Sequence, residues 1–298
     1  MARFLTVNKV GSLAGTFLVC LSGLGLVTPT SPARADDAAS TQATPIGVDD
    51  QGNQLDLSPD PDATATLESG ATEGFVASHS PDGDTDEKII GGDDRRRITN
   101  TTEFPNSAVV YIHRSNGRQY CTGWLVSPDT LVTAGHCIYD DNGWNFNLEY
   151  SPGANGSERP YGTATAAQLW TDTTWVSDRD SRQDWGIVKL DRAFPDAGYF
   201  GLRWQTASYD GTEVQLRGCP QDRPAGELWG MGGPITESQP NNLRYQMDTY
   251  NAQSGSPVFL GDVHQSIAIH TGSVGSEEQN RSTRITEGLC NIILDLRS

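Results

Sequence analysis

Short apolar runs between clusters of turn residues dominate the chain from about residue 105 onward: "SAVVYIH", "CTGWLVS", "TLVTAG", "GIVKL", "TEVQLRG", "LRYQMDTY", "SPVFL" and "SIAIH". Their Val, Ile, Leu and aromatic content, their brevity and their Gly, Pro, Asp and Ser flanks predict strands, because branched and aromatic side chains suit a half-buried pleated surface. Helical spacing appears once, where Ile285, Leu289, Ile292, Ile293 and Leu296 fall at i, i+4, i+7, i+8 and i+11. Thr286 and Glu287 supply a start for that helix, expected over about 286–298. The pattern therefore predicts an all-β body with one helix at its end. No fixed period points to a propeller or solenoid.

The first residues carry a different pattern. Arg3 and Lys9 precede an uncharged apolar run from Gly11 to Val27, and Ala33-Arg34-Ala35 follows as an A-x-A cleavage pattern. Residues 1–35 read as a secretory signal peptide, too short and too glycine-interrupted for a membrane span. From Asp36 to Glu87 there are 13 acidic residues, no Lys or Arg, and few large apolar side chains. Such a stretch cannot bury enough surface to offset its ordering entropy, so 36–87 is expected to be a disordered acidic pro-segment.

That segment accounts for much of the net charge of −17. Residues 88–298 hold 25 acidic and 18 basic residues, an ordinary soluble surface with no nucleic-acid footprint. They are long enough for one large or two small cores. Their four cysteines, an even number in an exported chain, favour two disulfides over a metal site, and no C-x-x-C or H-E-x-x-H spacing competes.

Candidate chemistry begins at "CTGWLVSPDTLVTAGHCIYD", residues 121–140. Cys121 and Cys137 bracket two predicted strands and a turn at Ser127-Pro128-Asp129, so they could meet and fix His136 between small neighbours. In "DSRQDWGIVKL", Asp184 precedes a strand and is followed by Trp185, which could exclude water; Asp178, Asp180 and Asp191 are rivals. A carboxylate that accepts from one imidazole nitrogen leaves the other free to take a proton from a serine. In "MDTYNAQSGSPVF", Ser254 is either that nucleophile or a small turn residue. His136, Asp184 and Ser254 stand at strand edges in the order His, Asp, Ser, the order of the chymotrypsin-like triad.

On "VTAGHC", "DWGIVKL" and "QSGSPVF" the chain resembles the chymotrypsin-like serine endopeptidases, and more narrowly the bacterial glutamyl endopeptidases, from about Ile89 to "RITE" near the C-terminus. The resemblance implies two packed antiparallel β-barrels, about 98–195 and 196–284, with the triad at their interface and a C-terminal helix. It implies a secreted enzyme that cuts after Glu and less readily after Asp, with an oxyanion hole from the N–H groups of Ala252 and Ser254. His270 in "SIAIHTG" and Thr249 would receive the substrate carboxylate, an imidazole and a hydroxyl donor satisfying its two oxygens. No cofactor or metal is implied, and the partners are peptide substrates of a monomeric protein. Cys219 and Cys290 are left to each other by elimination.

The chain departs from the family pattern at two positions. Ala252 stands where the family usually has Gly, and an alanine forced to positive φ is strained by roughly 1–2 kcal/mol. Gln253 precedes the serine in place of an acid, which weakens activation by an internal amine–carboxylate pair. Cleavage after Glu87 would free an amine at Lys88; Arg95-Arg96-Arg97 offers a rival cut that would start the protein at Ile98. The alternative functions are a chymotrypsin-fold protease of other P1 specificity and a secreted pseudoprotease that binds protein through the same cleft.

Overall fold

The computed structural model describes residues 42–57, 69–72, 92–274 and 279–297. In chain order the strands begin with β1 (Pro45–Asp49), β2 (Gln54–Leu55), β3 (Ser69–Ala71) and β4 (Arg96–Ile98). Next come β5 (Val109–His113), β6 (Gln119–Ser127), β7 (Thr130–Thr133), the short helix α1 (Gly135–Ile138), β8 (Tyr139–Asp140), β9 (Gly143–Trp144) and β10 (Glu149–Pro152). They continue with β11 (Ala166–Asp172), the helix α2 (Thr173–Asp178), β12 (Gly186–Leu190), β13 (Gly201–Gln205), β14 (Glu213–Gly218) and β15 (Leu228–Ser238). The last are β16 (Asn242–Tyr245), β17 (Pro257–Leu260), β18 (Gln265–Ser273), β19 (Asn280–Arg284) and the C-terminal helix α3 (Glu287–Arg297).

These strands form the two expected barrels. The first sheet runs β10-β5-β6-β7-β12-β11, antiparallel throughout, and a bridge between Tyr150 and Ala164 joins its ends. The second is a closed ring, β17-β14-β15-β16-β19-β18, in which β17 also pairs with β18. Both read as expected for strands buried on two faces: β5 is VVYIH and wholly buried. Barrel two has its own cluster, with Leu216, Leu243, Tyr245, Val258 and Ile267 at its centre. The apolar face of α3 (Leu289, Ile292, Ile293, Leu296) joins the larger core of barrel one, and the helix packs on β6, β7, β12 and β13.

Two expectations are corrected. Cys219 and Cys290 are free and buried. The packing of α3 over strands of barrel one carries Cys290 with it, whereas Cys219, just past β14, donates its N–H to Thr122 Oγ1 at 3.0 Å and accepts from Gln119 Nε2. Burial pushes both thiols up to about 12. The acidic segment, expected to be disordered, is ordered over 42–57. β1 adds to β11 in antiparallel register, Pro45 opposite Asp172 and Asp49 opposite Gln168. Asp172, fully buried, accepts the Thr44 N–H at 2.6 Å while its other oxygen caps α2 through Thr174 at 2.8 Å. Gly47 crosses the face of Trp170, where a Cβ would lie 2.3 Å from the indole. The segment lacks a core of its own and borrows the edge of β11, which offers unpaired backbone groups. The signal-peptide residues lie outside those described, and no described helix is long and apolar enough to cross a membrane.

Candidate active site

The histidine side is built by barrel one. β6 and β7 form the hairpin that the turn at Ser127–Asp129 predicts, and α1 follows at once, carrying His136. A disulfide joins Cys121 on β6 to Cys137 on α1, spanning 16 residues and anchoring the residue next to the imidazole. His136 is then gripped twice by Asp184: its backbone N–H donates to Oδ1 at 2.9 Å and its ring Nδ1 donates to Oδ2 at 2.8 Å. A carboxylate in this state only accepts, so Nδ1 carries the proton and Nε2 is left as a base. Asp184 is 3% exposed and its carbonyl accepts from Thr283 Oγ1 at 3.2 Å.

The rival aspartates are spent elsewhere. Asp180 is chelated by Arg182, Asp191 accepts from Thr165, and Asp178 accepts from Ser177. The hairpin β8–β9, from "YDDNG", is held by Arg179, which donates to the Asp140 carbonyl and to Asp141. Burial disfavours the charged form of His136, but Asp184, by charge and hydrogen bond, more than offsets this and raises its pKa above 6.5.

Barrel two supplies the serine from the loop between β16 and β17. Part of the predicted strand "LRYQMDTY" belongs to this loop: pairing with β19 stops at Tyr245, and the Asp248 N–H turns to Met231 Sδ at 2.6 Å. Ser254 is half-buried, and its carbonyl accepts from Thr122 N at 2.9 Å. The same carbonyl lies 3.8 Å from Cys137 Sγ, a contact only, since a disulfide sulfur has no proton to give. Gly255 has φ +88°, and a Cβ there would fall 2.0 Å from the Thr122 carbonyl. The serine is thus brought up against barrel one by a residue that has to be glycine.

Ala252 has φ +76°, the left-handed conformation that strains an alanine. Its carbonyl accepts from Thr122 Oγ1 at 2.9 Å. Among the described residues, neither the Ala252 nor the Ser254 N–H has a backbone acceptor, as an oxyanion hole requires. His136, Ala252 and Ser254 line one cavity of about 370 Å³ with Arg114, Arg118 and Gln221.

Thr249 and His270 do not line that cavity. Thr249 is half-buried on the serine loop. His270 on β18 is 2% exposed, its Nδ1 2.7 Å from the Tyr245 hydroxyl. Burial first, then the neighbouring His136, push its pKa down to about 3, so the ring is neutral. A neutral imidazole still offers the hydrogen-bond donor that a substrate carboxylate requires, but no charge. Sequence reasoning missed Arg281 on β19, whose charge acts on both His136 and His270 and lowers the pKa of each. Arg281 donates to Ser181 Oγ at 3.2 Å and has no carboxylate partner among the described residues. Nothing in the local pattern "QNRSTR" marks it, because its place depends on β18–β19 pairing.

Cys121, His136 and Cys137 bring three possible metal ligands within 4.8 Å of one another, but the disulfide consumes both thiolates. The trypsin family profile matches residues 89–288. A glutamyl endopeptidase of Bacillus licheniformis is 42% identical over 210 residues, 67% of this chain and 66% of that protein's own length. An extracellular metalloprotease of Bacillus subtilis is 38% identical over 215 residues, 69% of this chain and 68% of its own. A solved structure described as a Glu endopeptidase in complex with MPD superposes with a TM-score of 0.64 at 24% identity, covering 70% of this chain and 99% of that one.

Proposed function

The chain belongs to the trypsin family, and from that premise we propose that it is a secreted serine endopeptidase that cuts peptide bonds after glutamate and less readily after aspartate. The observation that carries the catalytic reading is the double grip of Asp184 on His136, with Ser254 on the same cavity. In the reaction, His136 Nε2 takes the Ser254 proton as Oγ attacks the scissile carbonyl. The N–H groups of Ala252 and Ser254 stabilise the oxyanion, and His136 returns the proton to the leaving amine. Water then hydrolyses the acyl-enzyme by the same route, with Asp184 stabilising the imidazolium each time.

Acidic P1 specificity is supported by the resemblance to glutamyl endopeptidases and by the charge near the site. A neutral His270 donates a hydrogen bond to a carboxylate but brings no charge, and Arg281, which has no carboxylate partner among the described residues, supplies a cation whose field reaches the ring. Maturation by cleavage after Glu87, release from a signal peptide over 1–35 and action as a monomer belong to the same reading. The metal implied by the description of the Bacillus subtilis relative as a metalloprotease has no counterpart in the groups around His136, for both neighbouring sulfurs are in the disulfide.

Purified protein assayed on peptides with Glu, Asp, Phe or Arg at P1 tests the reading. Glu is expected to lead, Asp to follow, and Ser254→Ala to abolish both hydrolysis and fluorophosphonate labelling. His270→Ala is expected to lower kcat/KM for Glu far more than for Phe. Equal losses on both would reduce His270 to a structural residue, and wild-type protein that refuses the fluorophosphonate would favour the pseudoprotease.

A further inference from the structure

A charged side chain lies buried behind the serine loop, outside the triad. Arg95 stands just before β4, which pairs with β15 through Arg96, Arg97 and Ile98. Its side chain is 0% exposed. Its guanidinium has five N–H donors, and five hydrogen bonds are present. Nε and Nη2 reach Asp93 at 3.1 and 3.0 Å, Nη1 and Nη2 reach Asp222 at 3.1 and 2.5 Å, and Nη1 reaches Gln253 Oε1 at 3.2 Å. Burial works against the charge, but the hydrogen bonds and charges of Asp93 and Asp222 outweigh it and raise the Arg95 pKa.

The contact with Gln253 links this cluster to the chemistry. Gln253 is fully buried and immediately precedes Ser254. Its Oε1 also accepts the Tyr250 N–H at 3.0 Å, and its own N–H donates to the Tyr250 carbonyl at 3.0 Å. The turn Tyr250–Gln253 is thus closed by the group that Arg95 holds, and Gln221 N bonds the Asn251 carbonyl at 2.7 Å on the neighbouring strand of chain. Inside this turn sits Ala252 at φ +76°. A strained alanine persists only where its surroundings over-determine it, and relaxation to negative φ would turn its N–H away from the reacting carbonyl.

We propose that Arg95 is a positioning residue for the reaction. Through Gln253 it holds the Tyr250–Gln253 turn so that the Ala252 N–H faces the oxyanion, and the active protein therefore retains the chain from Asp93 onward. The proposal rests on the serine-peptidase reading above. It also makes the cut after Arg97 incompatible with full activity, since that cut would separate Asp93 and Arg95 from the body they organise.

The test is kcat per active site, titrated with a fluorophosphonate, for Arg95→Lys, Gln253→Leu and the double variant. Arg95→Lys keeps the charge but replaces the five-donor planar fork, whose Nε, Nη1 and Nη2 span Asp93, Asp222 and Gln253, by a single ammonium point. Gln253→Leu breaks the same link from the loop side while leaving the Asp93–Arg95–Asp222 pairing whole. Each is expected to lose about tenfold or more in kcat, with KM within about threefold, and the double variant to lose little beyond the worse single one. A structural role would instead lower the titratable fraction and the Tm while leaving kcat per site unchanged, and that result overturns the proposal. A fully active form whose N-terminal sequence starts at Ile98 overturns it too. Wild-type protein that takes no fluorophosphonate sinks the serine-peptidase reading itself, an outcome distinct from variants that label and turn over normally.

Discussion

The two halves of the site are held by opposite means. On the histidine side a disulfide and two hydrogen bonds from one buried carboxylate fix His136, and α1 and its flanks show no positive φ outside glycine. On the serine side no covalent tie exists: the loop carries a left-handed alanine and a left-handed glycine, and its restraints come from Thr122 across the barrel interface and Arg95 behind it. The difference matters because the base needs a fixed tautomer, which rigid neighbours supply. The oxyanion hole needs backbone N–H groups left unpaired and aimed, a conformation a relaxed loop would abandon.

The sharpest way to break the histidine side is Asp184→Asn. An amide beside Nδ1 stabilises the wrong tautomer, and kcat is expected to fall about 10⁴-fold with the fold intact, read by steady-state kinetics and circular dichroism. The pH profile sharpens the same point. Because Asp184 raises the His136 pKa, the acid limb of kcat/KM in the wild type is expected above pH 6.5, activity appearing as the ring loses its proton. The stability linked to this raised pKa runs the other way: it is present below pH 6.5 and lost as pH rises through the folded-state value. An acid limb below 6.5 would contradict the assignment.

Next in size is the disulfide. Replacing Cys121 and Cys137 together by Ser is expected to lower unfolding free energy by about 3 kcal/mol, the loop-entropy value for a closure of this length, measured by denaturant unfolding. Residual activity at low temperature would separate loss of stability from loss of chemistry. Smallest is Ala252→Gly on the opposite side. Glycine accepts φ +76° without strain, so the variant is expected to gain about 1 kcal/mol, offset in part by the extra freedom of the unfolded chain, with kcat unchanged or raised. Destabilisation by more than 1 kcal/mol would show that the loop is not strained at this residue.

How legible each part was follows from how local its cause is. The strands "GIVKL" and "SPVFL", the helix Glu287–Arg297 and the histidine motif carry their pattern within a few residues, and each stands where it was expected. β15, at 11 residues the longest strand among the described residues, was missed because "GMGGP" reads as a breaker; its ladder is imposed by β14, β16 and β4. β1 was missed for a related reason, since an acidic segment without a core is ordered by the edge of β11.

Cysteine parity misled where proximity was decisive. Cys121 and Cys137 are joined by the hairpin between them, while Cys219 and Cys290 are kept as thiols by the course of α3 over barrel one. The sequence by itself determined the strand-rich class, the terminal helix, the order of His136, Asp184 and Ser254, and the odd alanine at 252. Only the tertiary structure decided that His270 is buried and neutral, that Arg281 lies close enough for its charge to act on His136 and His270, and that Arg95 grips the serine loop from behind. The first set follows from periodicity and spacing within short stretches, whereas the second depends on which distant side chains share a desolvated space, and burial and charge acquire their energies only there.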